Sequence, residues 1–163
     1  MPGANTLWQI ESGDTLTTAT PVTLSWDNGA GLIFRRELSV DEDFMFSVRQ
    51  SVENTGANAV SLAPYGILAR HGRPADLKKF FILHEGLISM ADGTLSEIKY
   101  DDVEEYPFNA REGAPAEVTQ VTENGWIGYT DHYWMTTLIP AAGSPFKAVA
   151  KFDPQRGIYQ TEA

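Results

Sequence analysis

The residues that could do chemistry are few and scattered. Three histidines, His71, His84 and His132, stand on separate segments. They lack the i,i+4 spacing by which metal ligands usually declare themselves, and read as turn or surface histidines. Two adjoin a carboxylate, as His84-Glu85 and Asp131-His132. Neighbours on a strand point to opposite faces, so neither adjacent pair serves one substrate as acid and base without a bend. Asp101-Asp102 and Glu104-Glu105 carry the charge of a calcium cluster or a glycosidase carboxylate pair, but the calcium loop's glycine is missing, and the run reads as a solvated face. No serine sits in a Gly-x-Ser-x-Gly elbow and no glycine run matches a phosphate loop. Cysteine is absent, which removes disulfides, thiolate metal sites and a thiol nucleophile. The expectation is a non-enzyme with no catalytic residue, no metal and no cofactor.

The aromatic residues are denser. From Gly125 to Pro140 the chain holds two of its four tryptophans, Trp126 and Trp134, together with Tyr129 and Tyr133. Aromatic and β-branched residues favour strands. With Thr130-Asp131-His132 as a polar break, the stretch reads as a strand, a turn and a buried second strand. Trp126, Tyr129, Tyr133 and Trp134 are the candidate residues for binding a partner or ligand, since aromatic faces stack sugars and anchor interfaces. Period-2 alternation favours the other use of the same side chains, as the core of a sandwich.

The elements that must position them are strands. After a short apolar run, Leu7 to Ile10, the residues Val22 to Trp26 alternate as a half-buried strand. Asp27-Asn28-Gly29 signals a tight hairpin. Leu32, Phe34 and Leu38 mark the return strand, and Asp41-Glu42-Asp43 an acidic turn. Phe44, Phe46, Val48 and Val52 share one face of a longer strand, which turns at Glu53 to Gly56 before Val60 to Leu62. Turns every eight to twelve residues suit an antiparallel meander in a sandwich. Pro64-Tyr65-Gly66 interrupts the ladder. Arg70 to Lys79 reads as an exposed basic connection, and Phe80 to Leu83 as a short buried strand, with Leu87 to Met90 continuing at an edge. Tyr100, Val103 and Tyr106 are spaced for a single helical turn. Asn109 to Ala116 is a loop by composition. Glu117 to Thr122 alternates weakly, Phe146 to Phe152 is a half-exposed strand, and Ile158-Tyr159 a last fragment. The fold class is all-β.

At 163 residues, 42% of them apolar, the chain suits a single domain over 1–163. A net charge of -10 repels nucleic acid and disfavours docking on anionic lipid. No apolar run approaches the ~18 residues of a membrane span. No charged-then-apolar leader opens the chain, so a secreted or membrane-tethered parent would make these residues an excised piece.

One set of motifs goes further. Gly125-Trp126-Ile127-Gly128-x-Thr130-Asp131-x-Tyr133-Trp134, followed by Leu138-Ile139-Pro140, resembles the large periplasmic domain of YidC, the bacterial membrane protein insertase. In collinear order, Phe34-x-Arg36, Asp43-Phe44-x-Phe46-x-Val48, Val52-x-Asn54-x-Gly56, Leu62-x-Pro64-Tyr65-Gly66, His84-Glu85-Gly86 and Lys99-Tyr100-Asp101 are similar to the same family. The resemblance implies an antiparallel β-supersandwich of the galactose mutarotase-like kind. It implies a domain truncated at both ends, with an edge left bare for pairing. It also implies a place at the periplasmic face of the inner membrane, in a multi-pass parent that inserts and helps fold membrane proteins. The implied partners are the Sec translocon components SecDF and SecYEG and nascent membrane proteins, without membrane insertion by these residues themselves. The rival reading is a secreted carbohydrate-binding or mutarotase-like module; an epimerase of that fold would need a Glu and a His within hydrogen-bond reach across its groove.

Overall fold

The computed structural model describes residues 1–3, 5–75 and 83–163. They form two compact units, Met1–Pro64 and Tyr65–Ala163.

The first unit is one antiparallel meander: β1 (Gln9–Ser12), β2 (Val22–Asp27), β3 (Leu32–Val40) and β4 (Phe46–Asn54), in that order across the sheet. The expected alternation sets the register. Val22 pairs with Leu38 and Trp26 with Phe34, and the Trp26 and Phe34 rings lie 5.5 Å apart. On the other parity, Arg35 ties three strands together, donating to Glu11 on β1 and Glu53 on β4 at 2.9 and 2.8 Å. The Asp27-Asn28-Gly29 turn is wider than the tight hairpin expected. Asn28 Oδ1 accepts from the amides of Ala30 and Leu32, and the Asp27 carboxylate from Gly29, so side chains hold a loop of four residues open. Phe44 is also not part of the longer strand. It sits in a turn with φ 62°, closed by the Asp41 carboxylate, which accepts from Asp43 and Met45. Phe46, Val48 and Val52 do share a face of β4, but that face is exposed.

The second unit is a two-sheet sandwich. One sheet runs β11-β10-β6-β7, from β6 (Gly86–Ala91), β7 (Thr94–Lys99), β10 (Gly125–Asp131) and β11 (Trp134–Leu138). The other runs β5-β13-β12-β9-β8, from β5 (Ile67–His71), β8 (Phe108–Asn109), β9 (Ala114–Val121), β12 (Phe146–Asp153) and β13 (Ile158–Glu162). The helical turn expected from Tyr100, Val103 and Tyr106 is α1 (Tyr100–Glu104), which buries Tyr100 and Val103. Leu87, Tyr100, Val103, Val121, Ile127, Tyr129, Ala148, Ala150 and Tyr159 make the core. Three tyrosines meet in it: Tyr100 stacks on Tyr129 at 6.1 Å and presents an edge to Tyr159 at 4.7 Å. The hydroxyl of Tyr129 is buried without a hydrogen-bond partner among the described residues, and burial raises its pKa well above the ordinary phenol range.

Several sequence expectations change here. Leu87 to Met90 is not an edge: β6 lies between β10 and β7. The strand β7 falls in a stretch to which the sequence reading assigns no element, and Asn109 of β8 and the start of β9 fall in the expected loop. The half-exposed strand at Phe146 is the middle strand of its sheet, with Ala148, Val149 and Ala150 all buried. Ile158-Tyr159 is the start of a full strand between β5 and β12. Arg70 and His71 belong to β5 rather than to a connection. Of the predicted strand Phe80 to Leu83, residues 80–82 lie outside the described residues, as do 76–79 of the basic connection, and Leu83 is exposed.

Two turns are locked to each other by one side chain. Asp92, in the β6–β7 turn with φ 47°, accepts hydrogen bonds from the amides of Thr122, Glu123 and Asn124 and from the Thr122 hydroxyl. Those amides belong to the β9–β10 turn, so a single carboxylate joins the two sheets. The same donors hold its pKa well below the usual carboxylate range.

Candidate functional site

The β10–β11 hairpin brings the candidate residues to one end of the second unit. The connection has two residues, His132 and Tyr133, because Asp131 pairs with Trp134. Gly128 allows the two strands to close: a Cβ there would lie 2.0 Å from the Thr136 carbonyl oxygen. Below the turn, β10 pairs with β6 so that Thr130 faces Gly86. That register sets Glu85, the residue before β6, beside Asp131 and His132.

Two charge pairs result. Glu85 Oε1 lies 2.7 Å from His132 Nδ1 and accepts from the His132 amide at 3.2 Å, and the carboxylate is buried. Asp131 receives Arg70 Nε at 2.8 Å and the Tyr100 hydroxyl at 2.7 Å. Burial works against the Arg70 cation, but Asp131 outweighs it and leaves the guanidinium pKa raised. Burial, and then the bond to Asp131, raises the Tyr100 phenol well above its ordinary value. A third cluster lies beside α1. Arg73 donates to Glu104 and to the Tyr159 hydroxyl and pairs with Asp101, and Tyr159 donates to Glu104. Burial and the Glu104 bond push the Tyr159 phenol up to about 12. The acidic run around Asp101 and Glu104 thus clamps a cation and a tyrosine from other segments, where the sequence suggested only a solvated face.

The hairpin borders a cleft of about 310 Å³, lined among the described residues by Leu83, His84, Glu85, Thr130, Asp131, His132, Tyr133, Trp134 and Met135. A second hollow of about 290 Å³ shares Glu85 and Asp131 to Trp134 and adds Arg70, Pro74 and Ala75. Chemically, a carboxylate and an imidazole bonded to each other can orient one proton. Among the described residues two hydroxyls line the cleft, those of Tyr133 and of Thr130, whose oxygen lies 3.4 Å from the Trp134 carbonyl. No group of three His, Asp or Glu that could hold a metal occurs among the described residues.

The four aromatic candidates divide. Tyr129 is core, as alternation suggested, and Trp126 is half-buried on the opposite parity of β10. Tyr133 and Trp134 are not core: they are 94% and 78% exposed. The second strand of the hairpin is correspondingly exposed rather than buried, because β11 is the outer strand of its sheet. Sequence reasoning missed Glu85 with His132 and Arg70 with Asp131 and Tyr100. It weighed His84-Glu85 and Asp131-His132 as separate adjacent pairs; the β6–β10 register joins Glu85 to His132, while His84 bonds the Leu87 carbonyl and Asp131 bonds Arg70 and Tyr100.

Comparison with known proteins settles the family. The model of the YidC periplasmic domain matches residues 1–163. The chain belongs to the YidC periplasmic domain family. Relatives named "Membrane protein insertase YidC" are similar throughout. The proteins of Ruegeria sp. and Dinoroseobacter shibae are each 62% identical over 162 residues, 99% of this chain and 27% of theirs. That of Jannaschia sp. is 58% identical over 163 residues, 100% of this chain and 26% of its own. The chain therefore spans about a quarter of the length of these curated relatives. Among the described residues no helix is long and apolar enough to cross a membrane.

Proposed function

We propose that the chain is the non-catalytic periplasmic part of a membrane protein insertase, and that its two units belong to one domain at the periplasmic face of the bacterial inner membrane. There it aids insertion and folding of inner-membrane proteins, alone or beside the Sec translocon, with SecDF, SecYEG and nascent membrane proteins as partners. The observation that carries this reading is the match of residues 1–163 to the periplasmic-domain family, with relatives that bear the insertase name similar over 99% of the chain. The strongly acidic surface fits a partner that is neither nucleic acid nor anionic lipid.

The test uses the full-length insertase in cells. Trypsin added to spheroplasts should cut at the exposed Arg111, between β8 and β9, and the same bond should be protected in inside-out vesicles. Protection in spheroplasts would overturn the location. Removal of these residues should slow insertion of a single-span client and reduce co-purification of SecDF; unchanged values for both would sink the role.

One observation favours a second reading. The Glu85–His132 pair meets the requirement for a Glu and a His within reach, in a cleft rimmed by Trp134, as a carbohydrate-active module would have it. However, the two groups bond to each other, whereas an acid and a base acting on a sugar must each reach a proton of the substrate. Calorimetry with simple hexoses should show no heat, and millimolar or tighter binding lost in Trp134→Ala would reverse the preference.

A further inference from the structure

The outer strand of the hairpin differs from the other strand edges of the molecule. Natural sheets protect their edges with charged side chains, and among the described residues every edge strand longer than two residues follows that rule except one. β1 carries Glu11, β4 Arg49 and Glu53, β5 Arg70, and β7 Glu97 and Lys99. β11 is Trp-Met-Thr-Thr-Leu, with no ionisable group and no proline. Its pairing fixes which backbone groups are free. Asp131 and Trp134 flank a two-residue turn and exchange hydrogen bonds, so Trp134, Thr136 and Leu138 face β10. The N–H and C=O groups of Met135 and Thr137 point away from β10, and no strand among the described residues pairs with that side of β11.

The ionisable groups beneath the tip are partnered although the chain carries a net charge of -10. Asp131 bonds Arg70, and the Glu85 carboxylate bonds the ring and the amide of His132. The tip itself holds aromatic area at a backbone cost. Tyr133 has φ 71° at the second turn position, where glycine or asparagine is the unstrained choice, and its ring is almost fully exposed. Met135 is more than half exposed beside it.

We propose that the free edge of β11, with Tyr133 and Trp134 at its end, takes up an extended, uncharged, apolar segment of another polypeptide as an added antiparallel strand. Main-chain bonds from Met135 and Thr137 supply affinity irrespective of sequence, and the aromatic tip grips the end of the segment. The composition of the edge sets the partner's chemistry, since β11 offers no ionisable side chain to pair with a charged strand. That the segments come from membrane proteins in transit rests on the insertase reading; the edge itself does not.

The probe is a capped eight-residue peptide of alternating threonine and valine, added to the isotope-labelled chain. The amide signals of Met135 and Thr137 should shift, with at least tenfold slower hydrogen exchange at saturation, while Glu97 and Lys99 on the opposite edge stay unchanged. Met135→Lys and Thr137→Pro should each weaken binding at least tenfold. Tyr133→Gly should weaken it severalfold without lowering Tm, a combination that a purely structural tyrosine would not give. Absence of shifts at millimolar peptide, or undiminished binding by Met135→Lys, overturns the proposal. It is equally overturned if zwitterionic phosphatidylcholine vesicles, or a rise in the chain's own concentration, protect these amides and the peptide does not. Peptide binding by a chain whose parent inserts no client would keep the edge and remove the source assigned to its ligand.

Discussion

The two units use the same alternating strand pattern and bury very different amounts with it. In Met1–Pro64 the buried apolar residues are Val22 and Phe34, and the regular face of Phe46, Val48 and Val52 stays exposed. In Tyr65–Ala163 a similar proportion of alternating strand yields a core of nine packed residues from both sheets and α1. The difference is architectural. A single four-stranded sheet offers each apolar face no second layer within its own unit, whereas two sheets and a helical turn close over each other. Alternation says which residues share a face, and the presence of an opposing layer decides whether that face is dry.

The largest way to sharpen this contrast is a cavity in the second unit. Ile127→Ala should destabilise that unit by about 3 kcal/mol, lowering its Tm by roughly 15 °C for a unit of this size. Trp126 and Trp134 fluorescence would follow it separately from Trp8 and Trp26, and an equal shift at Trp26 would mean that the units unfold as one.

Alkali should separate the units next. The first contains no tyrosine, lysine or histidine, whereas the second holds all six tyrosines. Burial raises the phenols of Tyr100, Tyr106 and Tyr129, and Tyr159 is pushed up to about 12. A raised folded-state pKa gives stability that is complete below the unfolded phenol value of about 10 and is lost as pH rises through the folded values. Urea unfolding between pH 9 and 12 should therefore weaken the second unit while Trp26 reports a constant first unit. Parallel loss in both would break the comparison.

Asp92 provides a smaller test at the acid end. Its depressed pKa means stability present above the ordinary carboxylate value and lost as pH falls through the folded one. Asp92→Asn tolerates the same φ, so it should lower Tm at pH 7 and show a shrinking difference from the parent below about pH 4. A constant difference across that range would assign the effect to the turn backbone instead. The smallest expected effect is Val48→Ala on the exposed face of β4, within about 0.5 kcal/mol of the parent. A cost like that of Ile127→Ala would show that this face is covered in solution.

Much of the fold was legible because local rules agree with it. The β2 and β3 registers follow the spacing of Val22, Trp26, Phe34 and Leu38, and α1 follows that of Tyr100 and Val103. The misreadings share one cause. Leu87 to Met90 was placed at an edge and Trp134 in a core because period-2 alternation assigns a face to a side chain but assigns no position across the sheet. The site was hidden for a related reason: Glu85 and His132 are far apart in the chain, and only the pairing of Thr130 with Gly86 makes them neighbours.

By itself, the sequence determined the all-β class, the meander of the first unit, the absence of cysteine chemistry and, through its motifs, the family. Those properties depend on composition, local alternation and residue order, which each stretch carries within itself. Tertiary structure alone decided that the Gly125–Pro140 hairpin is half core and half exposed, and that Glu85 meets His132 and Asp131 meets Arg70 beneath its tip. It also decided that, among the described residues, β11 is the outer strand of its sheet. Strand order and burial are properties of which layers meet, and distant residues acquire them only when the sheets close.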